Sequence, residues 1–311
     1  MGAMTLLVDQ RGAELTLSKN TQTICLHYPD GKTHRVGIYA LGKILVYGEV
    51  NLSAAVIRAC NTAEVSLIFL PGGKSKGDSF DIFPYVNHHL QLRLAQYRAY
   101  FDKEVCLSLA RQIVTAKIEA QSSWLAQHNL GCDFSSSLAD VRLAPNNATL
   151  MGLEGSVSRQ YLVQWRSLWD EVWGFKERNR RPPLDPVNAL LSLSYTMAGN
   201  SVGRLASTYG LDVGLGFLHV PQSNRPSLAL DILEPVRPWV DQWLWQKVQE
   251  GLFTPKHFYQ SNSVGCRLDK TGRGFFFTAW YNDAEPYIQS PMRDSLANVL
   301  RILRQYRILN A

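Results

Sequence analysis

The spacing of apolar residues changes once along this chain, from a period of two to a period near 3.6, and that change constrains the fold more than any other feature. Before Pro71 the short period dominates. Glu14-Leu15-Thr16-Leu17-Ser18 alternates polar and apolar, as a half-buried strand does, and Thr23-Ile24-Cys25-Leu26-His27 does so again. Pro29-Asp30-Gly31-Lys32 carries the Asp-Gly signature of a hairpin turn, so His34 to Ile38 is expected as the return strand. Lys43–Tyr47 and Val65–Phe69 read as further strands, with a helix over Ser53 to Cys60 between them.

Pro71-Gly72-Gly73-Lys74-Ser75-Lys76-Gly77 then interrupts the pattern. Its Gly-Gly-Lys-Ser core lacks the spacing of a phosphate loop and reads as a flexible boundary. Beyond Asn87 the long period takes over. Leu94, Tyr97 and Phe101 recur at helical spacing, followed by Leu109, Ile113 and Ala116. Trp165, Trp169 and Trp173 stand four apart, which predicts one face of a helix turned to the core rather than a stacking platform for bases. Pro182-Pro183 stops that region, and Asp185-Pro186 opens an apolar helix over Val187–Met197. Asp294–Leu309 is amphipathic, with Val299, Ile302, Leu303 and Tyr306 as its stripe and Arg301, Arg304 and Arg307 elsewhere. The expected architecture is α+β: a small β-sandwich-like domain over residues 1–82, a linker over 83–90, and a larger all-helical domain over 91–311.

Composition narrows the class. At 46% hydrophobic and 19% charged residues the chain is globular, not disordered. No run approaches the roughly 20 apolar residues of a membrane helix. No signal-peptide pattern is present, and Met1-Gly2-Ala3-Met4 reads as a leader added ahead of a native start at Met4, so a soluble cytoplasmic protein is expected. Cys25, Cys60, Cys106, Cys132 and Cys266 are scattered and odd in number, which argues against both a disulfide framework and a zinc site. Lysine and arginine outnumber aspartate and glutamate by 32 to 26, a net charge of +6 that allows a polyanionic partner without requiring one.

Titratable residues stand out in one apolar stretch, Gly216 to Pro238, which reads GFLHVPQSNRPSLALDILEPVRP. Asp231 and Glu234 are three apart and project from one helix face, with Ser227 as the N-cap and Pro235 ending or kinking the helix. The loop Val220 to Arg225 can fold back to bring His219 near both carboxylates. Two carboxylates and one imidazole suit a hard or borderline divalent ion, Mg²⁺ or Mn²⁺. A third carboxylate, Glu154, lies beside the stripe Leu150, Leu153 and Val157, between Gly152 and Gly155, which cost a helix about 1 kcal/mol each and let a backbone or ligand approach. Each of these groups taken alone is more often a surface residue or a structural contact, and Arg159, Arg225 and Arg237 are close enough in sequence to form ordinary ion pairs. Spacing alone stops at a metal-dependent hydrolase or transferase. A two-carboxylate glycosidase would instead want an aromatic-lined sugar cleft.

Three blocks go further. LMGLEGSVSRQYL (Leu150–Leu162), RNRRPPLDPVNALLSLSYTM (Arg178–Met197) and the Gly216–Pro238 stretch resemble consecutive blocks of the CRISPR-associated spacer-acquisition integrase family, in the family's order; FTPKHF (Phe253–Phe258) and GRGFFFTAW (Gly272–Trp280) resemble its C-terminal region. The resemblance covers essentially the whole chain and implies an N-terminal β domain with a helical catalytic domain. It implies that Glu154, His219 and Glu234 are metal ligands and that Asp231 supports them, all four serving catalysis. The implied reaction is attack of a DNA 3′-hydroxyl on a phosphodiester at the edge of a CRISPR repeat, with nicking of branched DNA by the same site. His219 must be neutral to ligate, so activity should fall in acid.

Arg178, Arg180, Arg181, Arg225 and Arg237 are the candidates for phosphate contacts on double-stranded DNA, against the alternative of a solvated helix end; Lys103, Arg111 and Lys117 are secondary candidates. The resemblance further implies a homodimer through the β domain, a small ferredoxin-like partner protein bridging two such dimers, and, in some members, a fused reverse transcriptase. Here that activity would have to reside on another chain or upstream. The alternative to an integrase is a non-catalytic DNA-binding assembly subunit of the same fold, against which the intact set Glu154, His219, Asp231 and Glu234 speaks.

Overall fold

The computed structural model describes residues 4–18, 21–70, 80–82, 90–261 and 265–309. The chain divides into two compact units, Met1–Val86 and Asn87–Ala311. The Pro71–Gly77 segment and positions 83–89 of the expected linker lie outside the described residues.

The first unit contains β1 (Met4–Val8), β2 (Glu14–Ser18), β3 (Thr23–His27), β4 (Thr33–Gly37), β5 (Leu41–Tyr47), β6 (Asn51–Leu52), α1 (Ala54–Thr62), β7 (Ser66–Leu70) and β8 (Phe80–Ile82). They form two four-stranded sheets, ordered β1-β5-β7-β8 and β4-β3-β2-β6. Alternation in β2 and β3 sets their antiparallel register, Leu15 opposite Leu26 and Leu17 opposite Ile24. The Asp-Gly turn behaves as its sequence predicts: Gly31 takes φ 85° and the Lys32 amide donates to Asp30 Oδ1 at 3.1 Å. β5 and β7 run parallel, which requires a crossover, and α1 supplies it, capped by Ser53. Val8, Ile44 and Leu67 from one sheet share a buried core with Leu15, Ile24 and Leu26 from the other and with Val56 and Cys60 of α1. A core drawn from two sheets matches the sandwich-like expectation.

The second unit contains α2 (Leu90–Phe101), α3 (Lys103–Gln127), α4 (Ser135–Leu143), α5 (Asn147–Arg166), α6 (Pro186–Thr208), α7 (Ser227–Leu233), α8 (Arg237–Gln249), β9 (Phe258–Ser261), β10 (Gly265–Leu268), α9 (Lys270–Ala279) and α10 (Glu285–Leu309). It is therefore mostly but not wholly helical. The antiparallel β9–β10 pair leaves no signal in the sequence, because four-residue strands are too short to show a period. It is strapped to the loop before α6 by the Cys266 amide donating to the Pro183 carbonyl at 2.8 Å, and a Cβ on Gly265 would stand 2.2 Å from that oxygen. Only glycine fits there.

Two periodic readings change in the folded chain. Leu94, Tyr97 and Phe101 do not face the core: Phe101 is 80% exposed, and α2 buries Leu92, Ala95, Gln96 and Ala99 instead. The polar Gln96 disguises that face in sequence. Its side chain is satisfied inside by the Asp212 amide and the Asp212 and Leu215 carbonyls. The three tryptophans do not share one helix either. α5 stops at Arg166, and Trp173 sits in a separate 3₁₀ turn, Glu171–Trp173. The rings still pack edge to face in the core, with centroids 5.0 and 5.9 Å apart. Among the described residues no helix is long and apolar enough to cross a membrane.

Candidate active site

Asp231 organises the site. It lies on α7, fully buried, where an ionised carboxylate is tolerated only if it is bonded. It accepts from the backbone amides of Phe217 at 2.5 Å, Leu218 at 3.0 Å and His219 at 2.9 Å, and its Oδ1 lies 2.7 Å from His219 Nδ1. Three amides and an imidazole thus close around one side chain and force the 216–219 segment into a tight loop. A Cβ on Gly216 would lie 2.8 Å from both Asp231 Oδ2 and the Ser227 carbonyl carbon, so glycine is needed there for close approach. Ser227 is the first residue of α7 rather than its cap; its hydroxyl donates to the Val220 carbonyl at 3.3 Å and ties down the loop's far side.

The carboxylate can only accept, so His219 Nδ1 carries a proton toward it and Nε2 is the ring nitrogen left to face the site. That nitrogen faces Glu234 Oε1 at 3.9 Å. Glu234 follows α7 directly and opens the 3₁₀ turn Glu234–Val236, where Pro235 bends the chain into α8 without ending the helical run. Glu234 Oε1 accepts from Arg237 Nε at 3.0 Å, while Oε2 lies 2.6 Å from Lys117 Nζ. Burial pushes the Glu234 carboxyl up, but the Arg237 guanidinium, the Lys117 ammonium and His219 overcome it and hold it well below the usual carboxylate range. Lys117 also bonds Glu154 Oε1, which accepts from Ser158 Oγ at 2.7 Å as well. Glu154, His219, Asp231 and Glu234 are therefore brought into one cluster from α5, α7 and the loop before α7, and Lys117 of α3 joins them.

Lys117 was the residue least visible as a site member in sequence. Its side chain is only 8% exposed, on the α3 face that also buries Ile113, Val114, Ile118 and Gln121. A lysine among apolar residues at helical spacing was the available signal. Gly152 and Gly155 flank Glu154 with nothing within 4 Å of a Cβ built on either. Among the described residues no group exploits the close approach they permit; they leave open surface beside the carboxylate.

The arginine candidates separate into two groups. Arg178 and Arg237 turn inward. Arg178 donates to Asn188 Oδ1 at 2.8 Å and Ser192 Oγ at 3.1 Å, and both guanidiniums lie over the Tyr195 ring, at 5.8 and 4.5 Å. Tyr195 in turn donates to Asp241, which also accepts from the Tyr161 hydroxyl at 2.9 Å. Burial raises the Asp241 carboxyl to about 6 against both tyrosine donors and both arginines. Arg180 and Arg181 are exposed on the loop before α6, and Arg225 is half-buried on the loop before α7. Of the secondary candidates, Arg111 is bound to the Ala144 carbonyl at 2.6 and 3.0 Å, and Lys103 is exposed at the start of α3.

Residues 6–282 match the family described as CRISPR associated protein Cas1. The chain belongs to the Cas1 family. The resemblance carried by the Leu150, Arg178 and Gly216 blocks is thus shown over most of the chain, and with it the class, a CRISPR spacer-acquisition integrase. The chain is 30% identical over 276 residues to a CRISPR-associated endonuclease Cas1 of Thermus thermophilus, covering 88% of this chain and 82% of that protein. It is 29% identical to a Cas4/Cas1 fusion of Geobacter sulfurreducens over 86% of its own length but spans only 51% of that longer protein. In fold it is similar to a Cas1 protein of Thermotoga maritima, with a TM-score of 0.87 at 25% identity over 96% of this chain and 97% of the other. A casposase bound to its integration product shares the Cas1 fold at TM-score 0.80 and 22% identity, over 91% and 82% of the two chains.

Cas1 nucleases are consistent with use of a divalent metal, and the donor chemistry of this chain fits one. Two carboxylates converge on a single cationic atom, and one of them lies 3.9 Å from an imidazole nitrogen whose partner nitrogen is held by a carboxylate, as ligating histidines commonly are. Among the described residues, no three His, Cys, Asp or Glu side chains are arranged to hold an ion as they stand. The cation between Glu154 and Glu234 is the Lys117 ammonium.

Proposed function

We propose that this Cas1 chain inserts short DNA fragments at CRISPR repeats through the Glu154–His219–Glu234 cluster. The observation that carries the reading is the convergence of Glu154 and Glu234 on the Lys117 ammonium, with His219 Nε2 3.9 Å from the other Glu234 oxygen and Asp231 locking the histidine. In the proposed reaction the fragment's 3′-hydroxyl loses its proton, its oxygen bonds to a phosphorus of the repeat strand, and the strand's own 3′-oxygen departs. Glu154, His219 and Glu234 would hold a Mg²⁺ or Mn²⁺, which would supply charge neutralisation at the phosphate and acidify the hydroxyl.

The chain's own residues do the positioning. Asp231 holds Nδ1 and so sets the ring's direction, with Nε2 pointing at Glu234. Arg237 holds one Glu234 oxygen and leaves the other toward Glu154. Open surface at Gly152 and Gly155 gives a phosphate backbone room beside Glu154. Arg180, Arg181 and Arg225 are assigned to phosphate contacts, which add affinity and salt dependence without sequence information. Arg178 and Arg237 are assigned to the protein framework around Tyr195.

The proposed partners are double-stranded DNA, a second copy of this chain through the β domain, and the small ferredoxin-like protein of the adaptation complex. A solved Cas6-RT-Cas1–Cas2 complex contains a chain of this fold at TM-score 0.80 and 20% identity, spanning 97% of this chain and 35% of that one, which supports partners of that kind, including a reverse transcriptase.

The test is strand transfer of a labelled fragment into a plasmid carrying a CRISPR array, run with Mn²⁺, Mg²⁺ or EDTA, with and without the partner protein. Metal-dependent products that vanish with His219→Ala support the assignment. Products that survive it move the chemistry elsewhere, and DNA binding without products under any metal indicates an assembly subunit.

A further inference from the structure

Lys117 occupies the place between Glu154 and Glu234 that a catalytic cation would take. A buried ammonium costs several kcal/mol unless it is closely paired, and here it has both carboxylates, one at 2.6 Å. Around Glu154 and Glu234 the charges already balance: two carboxylates face the Lys117 ammonium and the Arg237 guanidinium, while Asp231 is satisfied by its own N–H donors. With the Asp231 carboxylate counted, a divalent ion added to that arrangement still leaves an excess positive charge in a poorly solvated space. Arg237 is braced against Tyr195 and opens a helix, so it cannot leave cheaply. Lys117 has a flexible four-carbon stem, and among the described residues its ammonium bonds only the two carboxylates.

We propose that Lys117 is an internal counter-cation that exchanges with the catalytic metal. It keeps the two carboxylates together, must swing off their oxygens for an ion to bind, and is drawn out by a DNA phosphate. The proposal rests on the reading that Glu154 and Glu234 are ligands, and makes Lys117 a positioning residue. Its consequence is linkage: because the displaced ammonium finds an anion on DNA, DNA tightens metal binding and metal tightens DNA binding by the same factor. The chain would then be poorly loaded with metal away from its substrate.

The experiment measures Mn²⁺ binding by the paramagnetic resonance signal of the free ion, with no turnover required, for wild type, Lys117→Met, Lys117→Arg and Glu154→Gln. Without DNA, Lys117→Met should bind Mn²⁺ about tenfold or more tightly than wild type, and Lys117→Arg, which restores the competing charge, should return to weak binding. Adding a duplex should tighten Mn²⁺ binding to wild type and leave Lys117→Met nearly unchanged. Thermal melts guard against misfolding: Mn²⁺ should raise the midpoint of Lys117→Met more than that of wild type. Equal or weaker Mn²⁺ binding by Lys117→Met, with Glu154→Gln still abolishing it, overturns the counter-cation while keeping the metal site. Mn²⁺ binding indifferent to Glu154→Gln overturns the ligand reading itself, and with it this inference.

Discussion

Lys117 Nζ lies 2.6 Å from Glu234 Oε2, although the two residues are 117 positions apart. The contact joins the long α3 helix to the turn after α7, and it sets the orientation of the carboxylate through a charge-assisted bond. With Arg237 on the other oxygen, Glu234 has both of its oxygens assigned before any substrate arrives.

Asp231→Asn should unfold the site loop. The amide offers one oxygen where the carboxylate accepts from three backbone amides and an imidazole, and its NH₂ would face donors. A loss of about 3 kcal/mol or more is expected from these charged bonds, together with loss of strand transfer. Chemical denaturation of variant and wild type measures it; equal stability would remove Asp231 as the organising group.

Gly216→Ala should be nearly as damaging locally. The new Cβ meets the Asp231 carboxylate at 2.8 Å and backbone atoms of Ser227 and His219 at 2.8 and 2.9 Å, none of which is a flexible tip. Overpacking of this kind costs about 1–3 kcal/mol, and displacing His219 should lower kcat by more than the stability loss explains. Parallel melts and rate measurements decide it.

Gly152→Ala and Gly155→Ala should have the opposite sign. Both sit inside α5 with open space where the methyl goes, so each should stabilise by about 1 kcal/mol through helix propensity. If DNA lies along that face, activity or DNA affinity falls while the melting temperature rises. A double variant that melts higher and transfers strands at the wild-type rate would show that the face is not used.

Asp241 predicts a pH dependence of stability. Its carboxyl is raised from 3.8 to about 6, chiefly by burial, so the folded chain holds that proton more tightly than the unfolded one. This contribution is fully present below pH 3.8, declines as pH rises, and is gone above about 6, a change on the order of 3 kcal/mol. Glu234 runs the other way: its lowered value gives stability that is present above 4.5 and lost in acid. Asp241→Asn removes only the first effect. The stability difference, wild type minus Asp241→Asn, should therefore fall as pH rises from 4 to 6.5, measured by urea titration at each pH. Parallel curves would mean that Asp241 titrates normally.

Much of the architecture was legible because local rules and tertiary packing agree. Alternation in Glu14–Ser18 and Thr23–His27, the Asp30-Gly31 turn, and Asp185-Pro186 at the head of α6 each specify a local conformation that burial then reinforces. Legibility failed where packing overruled a pattern. Leu94, Tyr97 and Phe101 make a regular stripe, yet α2 buries the row containing Gln96, because neighbouring carbonyls satisfy that amide. Trp165, Trp169 and Trp173 cluster across a chain that has already left the helix, since aromatic rings reach one another from a turn as readily as along a helix face.

The candidate site divides along the same line. Residue type and short-range spacing singled out His219, Asp231 and Glu234, which one short loop and one helical turn bring together, and the glycines beside Glu154 singled out that carboxylate; only the family resemblance joined the four into one expected site. Three features were decided only by the fold. Arg178 and Arg237 became parts of the framework, because a buried tyrosine ring and a buried carboxylate lay within their reach. Gly216 became indispensable, because the loop passes within a methyl radius of Asp231. Lys117 became the centre of the cluster, because only helix packing carries a lysine from a largely apolar face of α3 to two carboxylates far away in sequence. Local sequence encodes conformation and chemistry at short range; which charges meet across the core depends on packing at long range, where no spacing records it.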